Sequence, residues 1–167
     1  MRIGRRGPGL KDKIKSQRQL KKILVALKAR GQRIVFTNGC FDLLHYGHVQ
    51  YLEKAKKTGD CLVVALNSDV SARRIKGRNR PIINQKDRMR VVAALASVDF
   101  VTLFNQDTPL KIIRELRPDI LVKGADWHKS KIVGSEEIRA YGGKVYAIKL
   151  ARGRSTTNLI RKIAQQL

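Results

Sequence analysis

Apolar positions along the chain follow two alternating rhythms. Leu20, Ile23, Leu24 and Leu27 recur at i, i+3, i+4 and i+7, which puts one stripe on a packing helix, and Gly31 stands where that helix would end. A β-type run at 34–37 follows, then a loop and helical spacing over 47–58. The alternation repeats with a strand at 61–66, a helix at 85–96 and a strand at 100–104. Thr108 and Pro109 read as an N-cap and a first helical position, opening a helix to residue 116. A strand at 119–123, a helix at 135–141 and a strand at 144–148 come next, and Ser155 or Thr156 would cap a last helix to residue 167. Strands and helices in this order predict a Rossmann-like, doubly wound α/β fold with a five-stranded parallel sheet. Ligands of such sheets gather beyond the carboxyl ends of the strands.

No internal repeat or linker divides residues 33–167, so they are expected to form one domain, preceded by a basic arm and packing helix over 1–32. The first nine residues read as a mobile arm. No stretch approaches the length of a spanning helix, and the amino terminus lacks the apolar core of a secretory signal, so a cytoplasmic location is expected. Cys40 and Cys61 have no metal or redox spacing and read as free thiols.

Charge changes this picture in one region. The 167 residues carry 36 Lys+Arg against 13 Asp+Glu, a net of +23. Twelve of those cations and a single acid, Asp12, lie within residues 1–33. Such an arm could hold nucleic acid non-specifically, but it has little aromatic interleaving and no reading motif. A basic nucleic-acid-binding protein is therefore the non-enzyme alternative; if the arm is instead incidental, residues 1–18 are expected to be dispensable for the chemistry, whose motifs all lie after Ile34.

Candidate chemistry concentrates after the first strand, in Thr37-Asn38-Gly39-Cys40-Phe41-Asp42-Leu43-Leu44-His45-Tyr46-Gly47-His48. His45 and His48, three apart, would share a face at the first turn of a helix, where free N–H groups and the macrodipole attract anions. Gly47 lets a phosphate oxygen approach closely. There is no GxxxxGK[ST], so imidazoles and amides would do the holding. Ser155 and Thr156 offer hydroxyls and N–H groups at another helix start. Arg73, Arg74, Lys76, Arg78 and Arg80 form a dense basic run that reads either as a solvated loop or as a mobile cationic lid. Asp42 is a weak candidate for a metal ligand, with hydrogen bonding of its own loop as the competing role.

The strand, glycine loop and helix around His45-Tyr46-Gly47-His48 resemble the HxGH signature of the nucleotidyltransferase fold. Further stretches extend the likeness: Val64–Asp69, Lys76-Gly77 with Arg80-Pro81, Leu121-Val122-Lys123-Gly124-Ala125-Asp126-Trp127, and Ser155-Thr156-Thr157-Asn158. Together, from about Ile34 onward, they resemble the adenylyltransferase module of the ADP-heptose synthase family. The resemblance implies transfer of AMP from ATP to D-glycero-β-D-manno-heptose 1-phosphate, giving ADP-heptose and pyrophosphate for the lipopolysaccharide inner core, with Mg²⁺ as cofactor. It implies catalytic roles for His45, His48 and Lys76. Nucleotide contacts would come from Asn38, Gly39, Cys40, Phe41 and Gly47, from Lys123, Gly124 and Asp126, and from Ser155 and Thr156. Arg80 and Arg88 would approach the acceptor phosphate. The alternative activity is cytidylyl transfer to a small polyol or amino-alcohol phosphate. Related cytidylyltransferases carry an arginine upstream of their STT motif where this chain has Leu150, which favours ATP. The expected kinase is a separate polypeptide, since no sugar-kinase domain fits within this length.

Overall fold

Two interleaved sets of apolar side chains build the sheet. Within β1 (Ile34–Gly39), Ile34 and Phe36 enter one core while Val35 enters the other. The same alternation in β2 (Cys61–Asn67) sends Cys61, Val63 and Ala65 to the first core and Leu62, Val64 and Leu66 to the second. A strand buried on both faces needs apolar residues at every position, and β2 is buried throughout. With β3 (Phe100–Phe104), β4 (Ile120–Gly124) and β5 (Lys144–Ile148) the strands form one parallel sheet in the order β3-β2-β1-β4-β5. The doubly wound expectation is met, and the order reverses at β1, the strand that carries the histidine loop. The computed structural model describes residues 9–124, 132–149 and 156–166. Asp126, Trp127, Ser155 and the first eight residues lie outside these.

Helices cover both faces. Preceded by the single turn α1 (Leu10–Lys13), α2 (Gln17–Ala29) begins at a reciprocal cap: Ser16 Oγ accepts from Gln19 N–H, and the Gln19 side chain accepts from Ser16 N–H. Its Leu20 and Leu24 are buried in the first core, as the stripe predicts. The other face takes Leu52 and Ala55 of α3 (Tyr46–Lys56) and Val92 of α5 (Gln85–Ala93).

Three local expectations are corrected. Residues 73–76, read as the start of a basic loop, belong to α4 (Asp69–Lys76), so Arg73, Arg74 and Lys76 are helical. The sequence has few apolar residues there, and the helix rests on its ends instead. Ser68 accepts from Ser71 N–H at 3.1 Å, and Gly77 ends it at φ 98, a conformation that favours glycine. Pro109 is the N-cap of α6 (Leu110–Leu116) rather than its first residue, and no side chain caps that helix. The α5 helix stops at Ala93, three residues early, because the chain turns to bring the Asp99 carboxylate onto Leu62 N–H at 2.6 Å. The remaining helices are α7 (Ser135–Ala140) and α8 (Thr156–Ala164).

The amino-terminal segment also differs from expectation. Ile14 forms a parallel bridge to Val101, Lys15 N–H donates to Val101 O at 3.0 Å, and Gln17 Nε2 donates to Leu103 O at 2.6 Å. Residues 14–17 thus cover backbone groups on the open edge of β3. Removal of residues 1–18 would strip that edge and expose Ile14's packing site, so this segment is structural.

Candidate active site

The site begins where β1 ends. At the switch point Tyr51, on α3, donates its hydroxyl hydrogen to Val122 O at 3.0 Å and meets Thr37 Oγ1 at 2.7 Å, which leaves Thr37 as the donor in that second bond. This buried pair ties α3 to β1 and β4. Burial also drives the Tyr51 hydroxyl well above its ordinary pKa. Between β1 and α3, Phe41 adopts φ 44, an uncommon conformation for a bulky residue, and its ring lies 5.4 Å from that of His48.

His45 is the N-cap of α3, and its Nδ1 accepts Gly47 N–H at 3.1 Å. The ring hydrogen of neutral His45 therefore sits on Nε2. His48 stacks on His45 with 4.0 Å between ring centroids, as the three-residue spacing requires. Desolvation lowers the His48 pKa from 6.5 to about 4, with repulsion from His45, once that ring is protonated, as the second cause. His48 is a neutral hydrogen-bonding group near neutrality, and its buried Nδ1 has no partner among the described residues.

Beside this pair lies a set of polar groups engaged mostly with the protein itself. The Asp42 carboxylate accepts Ile82 N–H at 3.0 Å and Ile83 N–H at 2.9 Å, and pairs with Arg80 Nε at 2.7 Å. Its oxygens are occupied by the protein, so Asp42 is a clamp on the 77–84 loop and its candidacy as metal ligand is withdrawn. No cluster of three metal-ligating side chains occurs among the described residues. That clamp also holds Arg80, one of the two residues of the basic run that lie outside α4. Arg88 is buried, contrary to a solvated role. It donates to Ile83 O at 3.0 Å, to Asn67 O and Asp69 Oδ1 at 2.8 Å, and to Cys40 O. Four of its five N–H groups are thereby taken.

Two cavities meet over the strand ends. One, of about 350 Å³, is lined by His45, Gly47, His48, Arg80, Thr156 and Thr157 together with the 40–42 turn. The other, of about 480 Å³, is lined by Asn38, Gly39, Asn67, Asp107, Thr108 and Lys123, with Ile75 and Val133 among its apolar wall. Cys40 and Lys76 belong to both. Thr156 Oγ1 donates to Leu43 O at 3.4 Å, so the amino-terminal turn of α8 sits against the histidine loop. Two helix starts thus converge on one cavity, which suits an anion with several charged oxygens.

Lys123 donates to Asn38 O at 3.3 Å, and desolvation, aided by the nearby Lys76 charge, lowers its pKa from 10.5 to about 8. The Cys40 thiol, donating to Asn67 Oδ1 at 3.8 Å, is pushed up by burial and is not an activated nucleophile. Cys61 is likewise a free thiol, buried in the core.

Of the residues singled out from sequence, Asn38, Gly39, Cys40, Phe41, His45, Gly47, His48, Lys76, Arg80, Lys123 and Thr156 line the two cavities. Gly124 ends β4 beside them, and Arg88 lies beneath. Asp126 and Ser155 lie outside the described residues. Asn67, inside the Val64–Asp69 stretch, was given no role from sequence and Asp107 was not singled out, although Asn67 ends β2 and Asp107 lies in the turn just after β3, where the doubly wound rule says to look.

Residues 36–162 match the family model described as cytidylyltransferase-like. The chain belongs to that family. The bifunctional protein HldE of Geotalea uraniireducens is 52% identical over 161 residues, covering 96% of this chain and 33% of the relative. The chain therefore spans about a third of the length of the curated relatives it matches. Among solved structures, a lipopolysaccharide core biosynthesis protein of Thermoplasma volcanium is 30% identical with a TM-score of 0.62, covering 74% of this chain and 100% of that one. A pantoate-β-alanine ligase of Francisella tularensis shares the fold at 15% identity, with a TM-score of 0.59, covering 92% of this chain and 76% of that one. The α/β nucleotidyltransferase fold read from the HxGH region is thus the fold of this family member.

Proposed function

We propose that the chain transfers AMP from ATP to D-glycero-β-D-manno-heptose 1-phosphate, releasing pyrophosphate and forming ADP-heptose for lipopolysaccharide synthesis. The observation that carries this reading is the convergence of the α3 and α8 starts around stacked His45 and His48, beside a second cavity reached across Lys76. The bifunctional HldE relatives and the lipopolysaccharide core biosynthesis protein supply the biochemical class.

A sugar 1-phosphate is already anionic, so its oxygen needs no general base. It attacks the α-phosphorus in line, forming one P–O bond as the bond to the departing pyrophosphate breaks. The enzyme's task is alignment and charge stabilisation. In this reading His45 Nε2–H, His48, Gly47 and the α8 start contact the triphosphate, Lys76 bridges the two anions, and Lys123 holds charge at the meeting point. Arg80, paired with Asp42, keeps its charge near the acceptor phosphate, and Arg88 supports that end from below. Ser155 and Asp126 are assigned nucleotide contacts on the motif resemblance alone. Magnesium, arriving with ATP, would neutralise charge on the leaving group, and no protein side chain is assigned to hold it, since the Asp42 oxygens are engaged by the protein.

No helix among the described residues is long and apolar enough to cross a membrane, and the proposed setting is the cytoplasm. The acceptor's phosphate is proposed to come from a separate kinase. Contact of the basic amino-terminal region with nucleic acid is proposed to be non-specific and salt-sensitive. The deciding experiment measures pyrophosphate release from ATP and from CTP against a panel of phosphorylated acceptors. Turnover with ATP and heptose 1-phosphate is expected, and turnover with CTP alone overturns the assignment.

A further inference from the structure

The larger cavity contains a residue that phosphate binding cannot explain. Asp107, in the turn between β3 and α6, lines the same chamber as Lys76 and Lys123. A carboxylate repels an incoming phosphate, and acids are scarce in this chain, 13 in all. An exposed ion pair is a weak reason to keep one there. Arg74 holds one carboxylate oxygen, Oδ1, at 2.6 Å and also donates to Asn105 O, which fixes the turn. The second oxygen has no protein partner among the described residues, and the side chain remains 56% exposed. Neighbouring Thr108 leaves α6 uncapped, so its hydroxyl has no capping role. Asn38 Oδ1, another acceptor on this cavity, is buried without a partner among the described residues.

The chamber therefore offers both kinds of partner: the cationic Lys76 and Lys123, the latter bonded to Asn38 O, and the unengaged acceptors on Asp107 and Asn38. Such a lining complements a ligand that carries both an anionic group and hydroxyl donors. We propose that Asp107, oriented by Arg74, is a specificity-determining residue that accepts a hydrogen bond from a hydroxyl of the acceptor sugar, with Asn38 Oδ1 accepting a second. This rests on the proposed sugar-phosphate nucleotidyl transfer and names the wall that reads the sugar. Recognition of a hydroxyl by a group that would otherwise lack its partner discriminates strongly against analogues without that hydroxyl.

The test compares the wild-type chain with near-isosteric Asp107→Asn and with Asp107→Ala in steady-state pyrophosphate release. Acceptors are heptose 1-phosphate and a series of its monodeoxy analogues, and thermal unfolding serves as the control for folding. The expected result for Asp107→Ala is a rise of about tenfold or more in the KM for heptose 1-phosphate, with the KM for ATP held within about twofold. One deoxy analogue should cost the wild type a similar factor and cost Asp107→Ala almost nothing further, the non-additivity of a lost shared bond. Additive losses with every analogue, or a rise confined to the KM for ATP, overturn the inference while leaving the proposed reaction standing. Absence of wild-type turnover with any sugar 1-phosphate overturns the proposed reaction itself, and this inference with it.

Discussion

Two polar clusters share the loop after β1 and differ in how their hydrogen bonds are used. Around Asp42 and Arg88, almost every donor and acceptor is engaged by another part of the chain, and Arg80 is held by its ion pair with Asp42 although its Nε makes no well-aligned hydrogen bond. Around His48, Asn38 and Lys123, buried atoms lack partners or the charged form is desolvated. A saturated cluster holds geometry, because each lost partner leaves a buried group uncompensated. An unsaturated cluster costs stability until something binds. Placed side by side, the first holds the second open for a ligand that brings the missing charge and hydrogen bonds.

The largest separation between the two should come from Arg88→Ala. It leaves the Asp69 carboxylate and the carbonyls of Cys40, Asn67 and Ile83 without their donor, and about 3–5 kcal/mol of stability should be lost in chemical denaturation. Arg88→Lys should recover only part, since an ammonium cannot reproduce the fork. Unchanged stability with abolished turnover would instead make Arg88 a direct phosphate contact.

His48→Ala should do the opposite. Turnover should fall by about 2.7–4 kcal/mol in barrier terms, the usual cost of one lost transition-state donor, with the unfolding midpoint nearly preserved. If the variant unfolds more easily while each folded molecule works normally, His48 belongs with the scaffold.

The pH profile sharpens the comparison further. Lys123, with its pKa lowered to about 8, is cationic below that pH and loses its charge above it. The rate at low substrate, kcat/KM, should therefore decline above about pH 8, and Lys123→Met should remove this alkaline limb while lowering the plateau. His48, at about 4, stays neutral through the physiological range and contributes no limb near neutrality. A profile that is flat to pH 10 would separate Lys123 from the chemistry.

Tyr51→Phe should give the smallest effect, roughly 1 kcal/mol of stability, as Thr37 and Val122 lose a shared partner. Calorimetry should register it with turnover at saturating substrate close to wild type.

Much of the site was legible because local chemistry and strand position agreed. The His45–His48 spacing implies a shared helical face, and the stacked rings lie on one. Lys123 could be located because β4 announces itself by its unbroken apolar run. The burial of Arg88 was not legible for a physical reason: an arginine early in a polar helix has the local signature of an exposed one, and only packing against two strand ends and Asp69 buries it. Asp107 was hidden inside Thr108-Pro109 cap chemistry, which describes the helix that follows rather than the cavity it faces.

Sequence by itself determined the alternation of strands and helices, the helix that carries Leu20 and Leu24, and the unpaired backbone N–H groups of the two helix starts. Each depends on near-neighbour periodicity or on backbone groups that any helix leaves unpaired. The tertiary structure alone decided which polar groups are engaged. Asp42 became a clamp because the 82–83 backbone arrives from 40 residues away, residues 14–17 became an edge cover because β3 needs pairing, and Lys123 lost affinity for its proton because neighbouring strands exclude water. Burial and long-range partnership are properties of the assembled sheet, and no local pattern in the chain contains them.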